Sequence, residues 1–227
     1  MNIIYERVML VLFIVALLVV FYGLYDAWYV YHKAGDDTVL QYKPAVGKSV
    51  PAESPITNDM VAWITVDGTN IDYPVMQGRT NTDYLNINPY GEYALSGSIF
   101  LDSRNQSDFK DDYSILYGHH MEYGNMFGAL DDFRNEDYLK SHSSGTLIVG
   151  RNAETEYPIG IFACAKVNVY DNKALDPDTL EAIEGFIQSD AEILNTSIEK
   201  SDHILALSTC TEPVSNSRLI VFAYIYE

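Results

Sequence analysis

Cysteine is scarce in this chain: Cys164 and Cys210 are the only two among 227 residues. A disulfide framework is therefore excluded as the source of stability, since at most one bridge is available. Cationic residues are scarce as well, 14 Lys and Arg against 32 Asp and Glu, and the net charge is −18. So acidic a surface argues against nucleic acid as a partner, because that interaction needs a basic face. There is no internal repeat, no low-complexity tract and no sign of a second soluble domain. Cys, His and carboxylates nowhere adopt zinc-ligand spacing, and no compact carboxylate loop suggests calcium. The reading expects neither a metal nor a cofactor.

The first 33 residues carry Glu6, Asp26, Arg7 and Lys33 and are neutral, so the whole −18 lies in residues 34–227. Within that neutral stretch, residues 8–25 (VMLVLFIVALLVVFYGLY) run without a charge. As a helix this run is about 27 Å long, close to the roughly 30 Å of a bilayer's hydrocarbon core. Trp28, Tyr29 and Tyr31 follow it, as interfacial aromatics do. A cleaved signal would need small residues before its cleavage site, and YGLYDAWYV supplies a poor match. The expectation is an uncleaved single-pass anchor over 8–25. Residues 1–7 would be cytoplasmic, 26–55 a juxtamembrane linker, and 56–227 a domain outside the cell.

That domain reads as mainly β. ITVDGTNIDYPVMQ looks like a hairpin turning at Asp67-Gly68. GSIFLD, SILYGHHM, GTLIVG and EYPIGIFACAKV read as short strands, whose spacing suits a closed barrel or a sandwich. Helical spacing is expected in three places. The first is a short helix in ITNDMVAWI, capped by Thr57 or Asn58. The second is MFGALDDFRNEDYLKSH, with Phe127, Leu130, Phe133 and Leu139 facing inward. The third begins near Pro177 and sets Leu180, Ile183 and Ile187 on one face.

The stretch that carries chemistry is HILALSTCTEPVSNSRLIVFA, residues 203–223. It reads as two apolar strands joined by a polar turn, with Cys210 ending the first and Arg218 starting the second. A thiolate is a nucleophile, and a neighbouring imidazole makes it accessible. Arg cannot serve as a base, but its fork of N–H groups can hold a carbonyl or an oxyanion. A buried structural Cys beside a surface Arg would leave the same pair of residues. Cys164 lies in an apolar β-rich run and suits a small core residue. A Cys164–Cys210 bridge would consume the nucleophile, so both thiols are read as free. Of the five histidines, His32 lies by the membrane, His142 in a polar loop, and His203 at a strand start. His119 and His120 follow a β-rich run and a glycine, where one imidazole can serve as general acid and base.

YGHHM, LSTC and the Arg eight residues beyond the Cys resemble the signature of the sortases, cysteine transpeptidases of Gram-positive bacterial surfaces. The family's strand motif ends T-L-x-T-C, and Ala206 stands where its first Thr usually lies. The resemblance spans nearly the whole chain. WITVDGTNIDYPVMQ, the YGHHM…MFGAL run and the helix before the Cys-bearing strand are similar to class B in particular. It implies a closed eight-stranded β-barrel with peripheral helices. It also implies a catalytic set of His119, Cys210 and Arg218, with His119 preferred to His120 because it directly follows the Gly. Ser208, Thr209 and Tyr170 are the candidate substrate contacts, with a structural hydroxyl the equal alternative for Ser208. Cys210 would attack a C-terminal sorting signal, LPxTG-like or NPxTx-like, and an amine of peptidoglycan or of a pilin would resolve the thioester. A peptidase that only hydrolyses, and a non-catalytic surface-binding module, remain the alternatives.

Overall fold

A computed structural model describes residues 3–34, 37–47, 54–170, 172–176, 179–210 and 216–227, with the backbone alone at 30–34, 37, 172 and 210. The N-terminal apolar run lies in one α-helix, α1 (Ile3–Ala34). Its segment Ile3–Tyr29 is long and apolar enough to cross a membrane. Helix α1 belongs to one compact unit, Met1–Asp36, and everything that follows to a second, Asp37–Glu227.

Nine strands are described in the second unit: β1 (Met60–Val66), β2 (Asp72–Met76), β3 (Ile99–Leu101), β4 (Tyr113–Tyr117), β5 (Ser144–Val149), β6 (Thr155–Asn168), β7 (Ile193–Leu194), β8 (His203–Cys210) and β9 (Ser217–Ile225). Neighbouring strands run β5-β1-β2-β3-β4-β8-β9-β6, and β6 then pairs with β5. Eight strands thus close into a barrel, in which each of the eight has a paired neighbour on both sides over part of its length. Strand β7 is a two-residue addition on β6. Most neighbours are antiparallel, whereas β2–β3 and β4–β8 are parallel.

Alternation sorts the side chains. Leu205, Leu207, Leu219, Val221 and Ala223 point into the barrel, where they meet Ile64, Leu116, Leu147 and Ile161. Their neighbours Ala206, Ile220, Phe222 and Tyr224 belong to a separate cluster on the outer face. Helix α4 (Leu180–Asp190) covers that face with Ile183, Phe186 and Ile187. Thr179 caps it, its hydroxyl accepting from Ala182 N at 3.2 Å. Pro177, where the sequence suggests that a helix begins, lies outside the described residues. A third cluster sets Trp63, Met76, Phe100 and Ile148 against Ile56 and Tyr84. Strand β9 is buried on both faces, which is why RLIVFAYI is a continuous apolar run rather than an alternating one.

Two helical expectations change in the structure. ITNDMVAWI does not form a helix: from Met60 onward it is β1, paired with β2 on one side and β5 on the other. Two ladders and burial of both faces override a weak local helical spacing. MFGALDDFRNEDYLKSH is not one helix but a 3-10 segment, Phe127–Arg134, followed by α2 (Glu136–Ser141). The break is Asn135, whose extended backbone lets its side chain accept from Asp137 N and Tyr138 N. Phe127, Leu130 and Phe133 recur every three residues, the period of a 3-10 helix. All three are fully buried, as is Leu139, and they pack against the barrel interior.

A short 3-10 segment, Asp37–Tyr42, leads to Lys43. The Lys43 ammonium bonds Thr65 Oγ1 and Asp72 Oδ1, each at 2.8 Å, and Trp63 Nε1 donates to the same carboxylate oxygen at 2.6 Å. The entering chain is thereby tied to β1 and β2. The four residues of α3 (Asn172–Leu175) precede α4, and the Tyr113 hydroxyl of β4 donates to the Ala174 carbonyl at 2.7 Å.

Phe133 is fully buried and packs into the interior from the 3-10 segment. Phe133→Ala is expected to destabilise the protein by about 3–5 kcal/mol in urea unfolding. A loss under ~1 kcal/mol would mean that the 3-10 segment is not part of the cooperative core.

Candidate active site

The two strand pairings of β8 define one rim of the barrel. On one side β4 runs parallel to it, with Tyr113 opposite Ile204 and Tyr117 opposite Ser208. The ladder reaches one residue further, where Gly118 N donates to the Ser208 carbonyl at 3.2 Å. Two residues past that last register pair stand His119 on one chain and Cys210 on the other. On the other side β9 runs antiparallel, and the backbone of Cys210 pairs with that of Arg218. Arg218 is also opposite Val167 of β6. Three residues 91 and 8 positions apart in sequence therefore lie at one end of three adjacent strands.

Gly118 is where β4 leaves the sheet. A Cβ there would lie 2.4 Å from Ile99 Cδ1 and 2.8 Å from the Phe127 ring, so no larger residue fits without moving the interior. Beyond it the two histidines diverge. His119 is half-buried, and its Nε2 lies 2.7 Å from the Leu85 carbonyl oxygen. Its own carbonyl accepts from Phe127 N at 3.0 Å. His120 bridges to Met126 and sets Nε2 2.7 Å from Asp131 Oδ2. The remaining described imidazoles have other partners. His142 stacks on Tyr138 at 3.9 Å, and His203 Nδ1 lies 3.1 Å from the Asp111 carbonyl.

Ser208 and Thr209 are fully buried. Ser208 is opposite Ile220 on the outer face, and Thr209 is opposite Leu219 on the inner one. Neither hydroxyl has a hydrogen-bond partner among the described residues. Tyr170 is the opposite case, 78% exposed, with its backbone N–H donating to Asn168 Oδ1 at 3.0 Å. Cys164 lies wholly within the core. Burial pushes its thiol up to about 12, with Glu192 adding to the effect, so it stays protonated at neutral pH. It is a free thiol. Among the described residues no three His, Cys, Asp or Glu side chains gather as a metal site would require.

A polar network beside this rim had no signal in the sequence. Asp102, just past β3, is 1% exposed. It accepts from Arg104 Nε at 3.0 Å and Nη2 at 2.8 Å, from Asn81 Nδ2 at 3.0 Å, and from the Tyr117 hydroxyl at 3.0 Å. Arg104 also bonds the Leu175 carbonyl at 3.0 Å and pairs with Asp176. Burial pushes the Tyr117 hydroxyl well above the usual tyrosine range, and Asp102 pushes it further, while the Arg104 and Arg218 cations pull the other way. No spacing rule joins residues 81, 102, 104, 117 and 176. Only the folded chain does, through hydrogen bonds and an ion pair between separate segments.

The closed barrel has counterparts of known class. The sortase domain family matches residues 64–226, and the chain belongs to this family of cysteine transpeptidases. Within the family it is similar to class B. Sortase B of Staphylococcus aureus is 32% identical over 177 residues, which cover 75% of this chain and 71% of that protein. Sortase B of Listeria monocytogenes is 35% identical over 161 residues, 68% of this chain and 64% of that one. A Streptococcus pyogenes class B sortase involved in pilus biogenesis superposes with a TM-score of 0.67 at 36% identity, over 74% of this chain and 92% of that one. The S. aureus sortase B–substrate complex superposes with a TM-score of 0.66 at 31% identity, over 76% and 82%.

Burial works against the Asp102 charge, but the hydrogen bonds and charge of Arg104 and the Asn81 amide outweigh it, so the carboxyl titrates below its usual range. A depressed carboxyl pKa stabilises the fold above the unfolded value of about 3.9, and that stability is lost as pH falls through the folded value. Asp102→Asn should therefore lower stability on the order of 2 kcal/mol at pH 7. The gap to the parent should narrow below about pH 4. Urea midpoints measured from pH 7 to pH 3 check this, and a gap that widens toward acid would contradict it.

Proposed function

We propose that this transpeptidase is a membrane-anchored sorting enzyme of the class B kind. In this reading α1 holds it in the cell membrane as a single pass with the barrel outside, and it acts on surface proteins carrying a C-terminal sorting signal. Cys210 attacks the scissile carbonyl of the signal, LPxTG-like or NPxTx-like, and forms a thioester. His119 gives a proton to the departing amine. An amine of the cell wall then attacks the thioester and takes the acyl group. Arg218 holds the substrate backbone and the developing oxyanion with its two-pronged donor face. Ser208, Thr209 and Tyr170 are the proposed substrate contacts, and of these Tyr170 is the exposed one.

The observation that carries this reading is the register at the rim, with Cys210 opposite Arg218 and His119 at the continuation of β4. The helix α1, apolar and long enough to span a bilayer, supports the anchor. A pilin amine as the nucleophile is the second reading, favoured by likeness to the S. pyogenes class B sortase involved in pilus biogenesis. Wall anchoring stands first in this reading, with the sortase B proteins of S. aureus and L. monocytogenes among the relatives.

Incubation with sorting-signal peptides, with and without triglycine or a peptidoglycan stem mimic, tests the reading by mass spectrometry of the products. A peptide–amine adduct is expected. Cys210→Ala should lower its formation by at least about a thousandfold, as loss of a nucleophile does, while Cys164→Ala stays active. Arg218→Lys should cost on the order of a hundredfold, because a point charge does not replace a fork of donors. Free acid as the only product, whatever amine is added, would make the protein a hydrolase, and adduct formed by Cys210→Ala would end the mechanism.

A further inference from the structure

The ring of His119 is held by a backbone carbonyl, and the surroundings of that carbonyl depend on one glycine. His119 Nε2 lies 2.7 Å from the Leu85 oxygen. A carbonyl oxygen can only accept, so Nε2 carries the hydrogen and the neutral ring keeps its free lone pair on Nδ1. The residues around Leu85 are pinned from several directions. The Tyr84 hydroxyl donates to Asp59 Oδ2 at 2.6 Å, Ser98 N donates to the Tyr84 carbonyl at 3.1 Å, and Leu85 N reaches the Thr82 carbonyl at 3.4 Å. Gly97 closes this seat from below. Its φ is +58°, and a Cβ there would lie 2.3 Å from the Leu85 oxygen and 2.7 Å from the Tyr84 oxygen. Both atoms are backbone, so neither can swing aside as a side-chain tip would.

We infer that the Leu85 carbonyl, seated by Gly97, locks His119 in the Nε2–H tautomer and makes Nδ1 the nitrogen that handles the catalytic proton. The inference rests on the proposed role of His119 and deepens it. As the Cys210 sulfur bonds the substrate carbonyl carbon, its thiol proton passes to Nδ1. As the carbon–nitrogen bond breaks, Nδ1 returns that proton to the departing amine. Nε2–H keeps its bond to Leu85 throughout, so the ring neither flips nor exchanges tautomer during the cycle. Leu85 and Gly97 are positioning residues here, acting through the imidazole rather than on the substrate.

The test uses the full chain in detergent micelles with 15N-labelled histidine. Long-range nitrogen–proton correlation reads which ring nitrogen bears the hydrogen, and the signals missing from His119→Ala identify the ring. The parent is expected to show protonated Nε2 and bare Nδ1 at His119. Gly97→Ala should lose that single-tautomer signature and lower kcat roughly 10- to 100-fold with KM nearly unchanged. Gly91→Ala is the matched control. Gly91 also has a positive φ, +81°, but a Cβ there meets only the Thr57 methyl at 3.2 Å, so both tautomer and kcat should stay at the parent's values.

A proton on Nδ1 in the parent overturns the inference, as does a Gly97→Ala that keeps both the parent's signature and its kcat. Equal damage in Gly91→Ala would reduce the effect to backbone strain, and overturns it as well. Full turnover by His119→Ala removes instead the catalytic role on which the inference rests. The ring signal would still be readable in that event, so the two failures are told apart.

Discussion

Everything at the rim depends on one strand with two unlike neighbours. Strand β8 pairs parallel to β4 and antiparallel to β9, and only that mixture brings a residue from the end of β4, the end of β8 and the start of β9 to the same level. An antiparallel neighbour can be reached by a short turn, but a parallel one requires a long crossover. Between β4 and β8 the chain therefore makes an excursion through the 3-10 plug, α2, β5, β6 and the helices α3 and α4. That excursion is structural material as much as connection. Its first part fills the barrel with Phe127, Leu130 and Phe133, and its last part covers the outer face with Ile183, Phe186 and Ile187.

Burial strengthens the polar groups beside the rim. Asp102 is almost wholly buried and Tyr117 partly so, while the Arg104 partner stays half exposed. A hydrogen bond buried in this way is stronger than in water, and an unpaired carboxylate there would be costly. Arg104 reaches from this layer to the Leu175 carbonyl and Asp176, and Tyr113 reaches the Ala174 carbonyl. The short helix α3 is thus fastened to the strand that leads to His119. The hydroxyls of Ser208 and Thr209, which have no hydrogen-bond partner among the described residues, lie on opposite faces of β8, Ser208 outward and Thr209 inward.

Much of this was legible in the chain. The turn at Asp67-Gly68, the strands GSIFLD and GTLIVG, and the inward set Phe127, Leu130, Phe133 and Leu139 are local patterns that survive into the fold. Local patterns fail where tertiary contacts outvote them. In ITNDMVAWI a plausible cap and helical spacing give way to two β-ladders, and in MFGALDDFRNEDYLKSH a capping Asn divides one helical run into two. The candidate site divides the same way. His119, Cys210 and Arg218 stand in recognisable motifs. Asp102, Asn81, Leu85 and Gly97 do not, because their importance lies in contacts across 15 to 34 positions or in a backbone atom that every residue possesses.

What the sequence by itself determined is the chemistry on offer and the compartment proposed for it. It contains one thiol at a strand end and one embedded in an apolar run, an imidazole after a glycine, a guanidinium at the next strand start, and an uncharged run of membrane-spanning length. These follow from residue type and short-range order, which neighbours along the chain can specify. Only the tertiary structure decided how those groups are held. It separated adjacent His119 and His120 onto a carbonyl and a carboxylate, buried Cys164 beyond reaction, and built the Asp102 layer next to β4. The reason is physical: register, closure of the barrel and exclusion of water arise from pairings between distant segments, and no window along the chain contains both partners.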